Sequence, residues 1–221
     1  MKKIIKSFAN KTLQPVIRKY LSKTRVYHYK GIKLSIPREV FHPAFFFSTR
    51  VLLQSLVKAD LPGKTLLELG AGSGLISFIA KQNGAIVTAT DINETAILNL
   101  HKNGVDNNLQ LNIILSDLFK NIPLQKFDII AINPPYYKKQ AVTETEYAWY
   151  CGENGEYFTN LFRDLSNYIH QGSLVLIILS DECDIEMINK IAASFHFQLA
   201  LEKRRRIFWE VFFLYQVVFV G

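Results

Sequence analysis

Asn133-Pro134-Pro135-Tyr136 closes an apolar run, Phe127 to Ile132, that reads as a buried strand. Proline removes a backbone donor and restricts the residue before it, so the strand must stop there. It stops on a carboxamide and a phenol ring, at the carboxyl end where open α/β sheets bind ligands. The tetrapeptide thus brings hydrogen-bond acceptors and a flat aromatic face to a place where chemistry is expected. A second constellation lies upstream: Glu68, then Gly70, Gly72 and Gly74 spaced G-x-G-x-G between a short strand and a helix start. Glycines let a backbone turn tightly against a ligand, and the helix start offers free N–H groups to an anion. The spacing differs from the G-x-G-x-x-G of dinucleotide binders. Asp91 ends the next strand about twenty residues on, where a carboxylate can take both hydroxyls of a ribose. Asp117 ends a third strand, near where an adenine would lie. Three acids at three successive strand ends beside a glycine loop exceed what strand capping alone requires.

The elements that must position these residues alternate. Thr65 to Leu69 reads as a strand and Leu75 to Gln82 as a helix stopped by Asn83-Gly84. Ala85 to Thr90 reads as a strand, followed by a helix capped by Asn93 and running to about Lys102. Leu111 to Leu115 and Phe127 to Ile132 are strands. Helix is expected from about Gly155 to Ile169, strand over Leu174 to Leu179, and helix over Ile185 to Phe195. Phe197 to Leu201 and Val211 to Val220 form a final antiparallel pair, with Lys203-Arg204-Arg205-Arg206 between them. This order predicts a doubly wound, mostly parallel α/β sheet with an antiparallel C-terminal hairpin. Ahead of it, Val26 to Ile36 suggests a hairpin turning near Gly31, and Phe41 to Val57 turns helical in its second half. Apolar positions from Ile4 to Leu21 approach helical spacing, interrupted by Pro15.

The net charge of +7 is unevenly placed. Residues 1–38 hold eleven Lys or Arg and no Asp or Glu, leaving 15 basic against 19 acidic residues in the remainder. A basic extension over residues 1–39 and a catalytic domain over 40–221 are therefore expected. The extension suits a nucleic acid, an anionic surface or an acidic partner, and equally an amphipathic helix packed on the domain. No stretch is long and apolar enough to span a bilayer, and the amino end lacks the apolar segment of a signal peptide. Cys151 and Cys183 form neither a metal motif nor a disulfide framework, which suggests a reducing, cytoplasmic setting. The five histidines, His28, His42, His101, His170 and His196, are scattered and read as surface or packing residues.

Together these motifs resemble the class I S-adenosylmethionine-dependent methyltransferases, and among them the amino-methylating group carrying N/D-P-P-Y/F/W. The resemblance covers about residues 40 to 220 and implies a Rossmann-like seven-stranded sheet. It implies that Glu68, Gly70 and Gly72 hold the methionine half of S-adenosylmethionine and Asp91 the ribose, with Gly74 and Ile92 also among the cofactor-binding residues. Ser116, Asp117 and Leu118 would border the adenine. Asn133 and the Pro134 carbonyl would accept hydrogen bonds from the target NH₂, with Tyr136 packing on the planar group and Pro135 counted with them as the catalytic motif. The chemistry is coherent on its own terms. The nitrogen of an amide or exocyclic amine is a poor nucleophile because its lone pair is delocalised. Two acceptors on its hydrogens draw that pair out of conjugation and aim it.

Further segments resemble the HemK-like glutamine methyltransferases: Val40-Phe41-His42-Pro43-Ala44 before Thr49-Arg50-Val51-Leu52-Leu53, Ser116-Asp117-Leu118-Phe119, Trp149 to Gly155, and Glu202 to Leu214. This implies a protein glutamine as substrate, typically in a peptide release factor. Two departures stand out. Phe45-Phe46-Phe47 replaces an acidic pair, and the basic leader matches neither the lid-less type nor a full amino-terminal helical domain. The alternative reading is an RNA or DNA adenine or guanine amino-methyltransferase, with a flipped base stacked on Tyr136. Lys138-Lys139, Arg204 to Arg206 and the leader favour it. A third reading, a non-catalytic accessory subunit, has no use for an intact Asn133-Pro134-Pro135-Tyr136.

Overall fold

The computed structural model describes residues 23–38, 40, 47–140, 142, 146 and 149–221. The reading of residues 4–22 as an amphipathic helix lies outside them, as do His42, Phe45 and Phe46. The first described element is a hairpin, β1 (Arg25–Tyr29) and β2 (Ile32–Ile36), turning at Lys30-Gly31. Helix α1 (Phe47–Leu56) leads into β3 (Thr65–Leu69), α2 (Leu75–Gln82), β4 (Ile86–Asp91), α3 (Glu94–Asp106) and β5 (Asn112–Leu115). Then come β6 (Phe127–Ile132), α4 (Glu156–Leu165), β7 (Ile169–Ser180), α5 (Ile185–Ser194), β8 (Phe197–Ile207) and β9 (Glu210–Phe219).

Strands β3 to β9 form a seven-stranded sheet in the order β5-β4-β3-β6-β7-β9-β8, parallel except for β9, which runs antiparallel to both neighbours. The chain winds outward from β3 to β4 and β5, returns to β6 on the other side of β3, and winds outward again. Period-two alternation along the central strands splits the interior in two. Leu66, Ala89, Ile129 and Ala131 face α1, α2 and α3, while Leu67, Leu69, Ile130 and Ile132 face α4 and α5. With both faces covered, β3 and β6 are apolar almost throughout.

The hairpin β1–β2 shares the first of these cores through Ile32, Leu34 and Ile36, all buried. Two asparagines one turn apart on or just past α3 hold its backbone. Asn103 accepts from the Ser35 N–H at 2.8 Å and donates to the Ser35 carbonyl at 3.0 Å. Asn107 does the same at Lys33, at 2.9 and 2.8 Å.

Three expected boundaries shift. Helix α3 continues past Lys102 to Asp106. Helix α4 ends at Leu165, because a tight turn over Ser166–Tyr168 aims the Tyr168 hydroxyl at the Phe119 and Ile122 carbonyls, and β7 then starts at Ile169. The Lys203–Arg206 run does not separate the last two strands. It pairs residue by residue with Val211 to Leu214 inside β8, the edge strand, where charged side chains stay in water.

Candidate active site

The six parallel strands end, and β9 begins, along one rim of the sheet. There the chain order reverses between β3 and β6, the switch point at which open α/β sheets form a crevice. The crevice is a cavity of about 310 Å³. At one end lie the Gly70–Ser73 loop, Asp91, Ile92 and Ser116 to Leu118. At the other lie Asn133, Pro134, Pro135 and Tyr136.

Gly70, Gly72 and Gly74 alternate at φ 71, 52 and 78, left-handed backbone that makes the every-second-residue spacing intelligible. Gly70 and Gly72 line the cavity and Gly74 does not. Gly74 caps α2, and a Cβ there would overlap Leu100 and Phe78, so its role is to seat α2 against α3. Beneath the loop, Glu68 is 5 % exposed and its Oε2 accepts from both the N–H and the hydroxyl of Ser77, in the first turn of α2. The carboxyl thus caps a helix start from the strand below. Burial pushes its pKa up to about 8, against the opposing pull of the Ser77 hydrogen bonds.

Asp91 bridges two elements. One carboxylate oxygen accepts from the Gly72 N–H at 2.8 Å and the other from the Asn93 N–H at 2.9 Å. Burial raises its pKa in spite of these bonds. Asn93 in turn caps α3, its Oδ1 accepting from the Thr95 N–H at 2.8 Å. Ser116 organises the next turn: its hydroxyl donates to the Leu118 carbonyl at 2.8 Å and accepts from the Asn121 N–H at 3.0 Å, with Leu118 held at φ 50. Asp117 pairs with Lys120 at 2.6 Å toward solvent.

At the far end the Asn133 carboxamide is gripped between two hydroxyls. Its Nδ2 donates to Thr49 Oγ1 at 3.3 Å, and its Oδ1 accepts from the Tyr136 hydroxyl at 2.8 Å. Burial pushes the Tyr136 phenol up, so it stays protonated and able to donate. An sp² oxygen that accepts one such bond keeps a second lone pair for an incoming N–H. The loop after the motif folds back beside it, the Tyr137 N–H donating to the Trp149 carbonyl at 2.8 Å and the Cys151 N–H to the Tyr137 carbonyl at 2.9 Å. Tyr137, Trp149 and Tyr150 therefore wall this end, with Ser180, Glu182 and Glu210 from the ends of β7 and β9. Burial and then the Glu182 carboxylate push the Tyr137 phenol up.

Every residue singled out from sequence for cofactor or acceptor thus lines one cavity, Gly74 excepted. Missed were Thr49 as the partner of Asn133, the Tyr136 hydroxyl as a donor to the same side chain, and Glu182 and Glu210 in the cavity wall. Thr49 had one signal: it stands in the Thr49–Leu53 segment already matched to the glutamine methyltransferases.

Residues 40–151 match the methyltransferase small domain family. A protein of Methanocaldococcus jannaschii with the provisional name protein N5-glutamine methyltransferase is 35% identical over 169 residues, spanning 73% of this chain and 83% of that protein. The chain belongs to this family. It is an S-adenosylmethionine-dependent methyltransferase. It is also 36% identical over 126 residues to the ribosomal RNA small subunit methyltransferase C of Haemophilus influenzae, of which it spans 38%. Among solved structures, the fold matches the E. cuniculi Mtq2–Trm112 complex that methylates the eRF1 translation termination factor, with TM-score 0.61 and 18% identity over 81% of this chain and 98% of that one. It matches the T. thermophilus 16S rRNA N2 G1207 methyltransferase in complex with AdoMet and guanosine at TM-score 0.61 and 19% identity, over 88% of this chain and 50% of that one.

Proposed function

We propose that this methyltransferase transfers a methyl group to the side-chain amide nitrogen of a glutamine in a protein, at Asn133-Pro134-Pro135-Tyr136. The observation that carries the reading is the Asn133 carboxamide, held between Thr49 and Tyr136 and opening on the same cavity as the glycine loop. The cofactor end suits S-adenosylmethionine. Gly70 and Gly72 leave room beside exposed backbone, Glu68 offers a carboxyl to a cationic amino acid head, and Asp91 offers one to a ribose, with Ile92 and Leu118 as apolar walls for the base. S-adenosylmethionine supplies a methyl carbon made electrophilic by its sulfonium. The chain's own part is orientation. Asn133 Oδ1 accepts one hydrogen of the target NH₂, the Pro134 carbonyl a second, and the Tyr136 ring covers the planar face. The nitrogen lone pair is thereby turned out of conjugation and held in line, an effect of proximity and orientation.

The glutamine assignment is supported by the M. jannaschii relative, whose length this chain nearly spans, and by the fold it shares with a termination-factor methyltransferase. A reducing, cytoplasmic setting follows from such a substrate; no helix among the described residues is long and apolar enough to cross a membrane. The second reading, an RNA amino-methyltransferase, draws on Tyr137, Trp149 and Tyr150 around the acceptor end, which would also stack a base. Transfer of labelled methyl into fractionated cell extract separates the two. Label that maps to glutamine in a protein band is expected, and label released by nuclease would replace this reading with the second.

A further inference from the structure

The β8–β9 hairpin ends in a two-residue turn, Phe208-Trp209, closed by the Ile207–Glu210 pair. Phe208 is 72 % exposed and Trp209 39 %. Phe208 also sits at φ 54, a left-handed conformation that hairpin turns normally give to Gly or Asn. Folding alone would place neither a large ring in water nor a left-handed non-glycine backbone at this tip. The rings contact each other at 5.7 Å between centroids, and Phe208 leans on Phe47 at 5.6 Å, so the tip is a braced aromatic surface.

The strand that leads to it carries Lys203, Arg204, Arg205 and Arg206, and among the described residues no carboxylate pairs with any of the four. Alternation places Lys203 and Arg205 on one face and Arg204 and Arg206 on the other. Arg204 lies over the Phe213 ring at 5.8 Å. Lys203 has its pKa lowered by partial burial and by the neighbouring charges of Arg205 and Lys58, the mark of cations gathered without a counter-charge. Clustered like charges cost the isolated fold free energy, and a dense anion recovers it.

We infer that the β8–β9 hairpin is a docking arm for single-stranded nucleic acid, its phosphates on Lys203 and Arg204 to Arg206 and its bases stacked on Phe208 and Trp209. Unpaired bases use exposed rings, whereas an acidic peptide would take the cations and leave the rings in water. Glu210, the next residue, lines the acceptor end of the cavity. Its carboxylate and that of Glu182 turn phosphates away from the cavity itself, so the strand lies beside the acceptor and not in it. This arm is independent of which group is methylated.

The test is fluorescence anisotropy of the full chain with short labelled RNA and DNA oligonucleotides over a range of salt. Replacing Arg204, Arg205 and Arg206 by Ala should weaken binding and flatten the slope of log affinity against log salt by about 2, at about 0.7 per phosphate contact. Replacing Phe208 and Trp209 by Ala should weaken binding about tenfold and leave that slope unchanged. Comparison of RNA with DNA then identifies the strand. Either variant binding as tightly as the unaltered chain overturns the proposal, since basic residues elsewhere would then hold the oligonucleotide. Polyglutamate competing as well as the oligonucleotides also overturns it, and assigns the arm to an acidic protein.

Discussion

Asn133 needs its two hydroxyl neighbours for different reasons. Thr49 fixes the direction of the carboxamide, and Tyr136 supplies both a flat face and a donor that occupies one lone pair of Oδ1. In the proposed transfer the face is what counts, and the donor is secondary. Tyr136→Phe should therefore keep kcat within about fivefold of the unaltered enzyme, since it removes one neutral hydrogen bond of about 1 kcal/mol. Tyr136→Ala should lower kcat by about 10²-fold through loss of orientation. Steady-state kinetics on the two variants checks the pair. These roles were only half legible in the sequence. The motif shows that Asn133 and Tyr136 are near each other, but Thr49 lies on α1, a contact across 84 positions that only the packing of α1 over the sheet creates.

Element boundaries were legible where periodicity and breakers agree. Strand β3, helix α2 and strand β6 fall where the sequence predicts them, because apolar runs end there on the glycine loop, Asn83-Gly84 and the two prolines. Strand β8 was not legible in full, since a run of four cations looks like a loop when an edge strand's solvent face is left out of account. The bracing of β2 by α3 was also invisible, as nothing marks Asn103 as a backbone mimic. Fully buried Asn103 holds both polar groups of Ser35. Asn103→Ala should cost about 2 kcal/mol in denaturant unfolding, the sum of two hydrogen bonds lost in a buried setting. The cap that Glu68 provides between β3 and α2 carries a pH signature. With its pKa raised from 4.5 to about 8, the folded chain holds more protons than the unfolded chain between those values. Glu68 therefore makes stability fall as pH rises through that window. Glu68→Gln keeps an acceptor for Ser77 and removes the titration, so the variant should gain in melting temperature relative to the unaltered chain on going from pH 5 to pH 8. A gap that stays constant with pH would show Glu68 ionised throughout.

At the scale of the molecule, the sheet separates two cores and its rim joins the glycine-loop and Asn133 ends of one cavity, the proposed cofactor and acceptor half-sites. The leading hairpin belongs physically to the first core. Deleting residues 1–39 would uncover the surface that Ile32, Leu34 and Ile36 cover, at about 1.5–3 kcal/mol for each side chain, and should leave a chain that unfolds at much lower denaturant or aggregates. Unchanged unfolding of that truncation would make the hairpin a mere appendage. On the proposed reading, one end of the cavity binds S-adenosylmethionine and Asn133 orients the nitrogen at the other. The most direct measurement takes Asn133→Ala and compares cofactor affinity by calorimetry with methyl transfer to the acceptor. Cofactor Kd within about threefold of the unaltered enzyme, together with transfer slowed by about 10²-fold or more, is the predicted result. Transfer at the unaltered rate would contradict it.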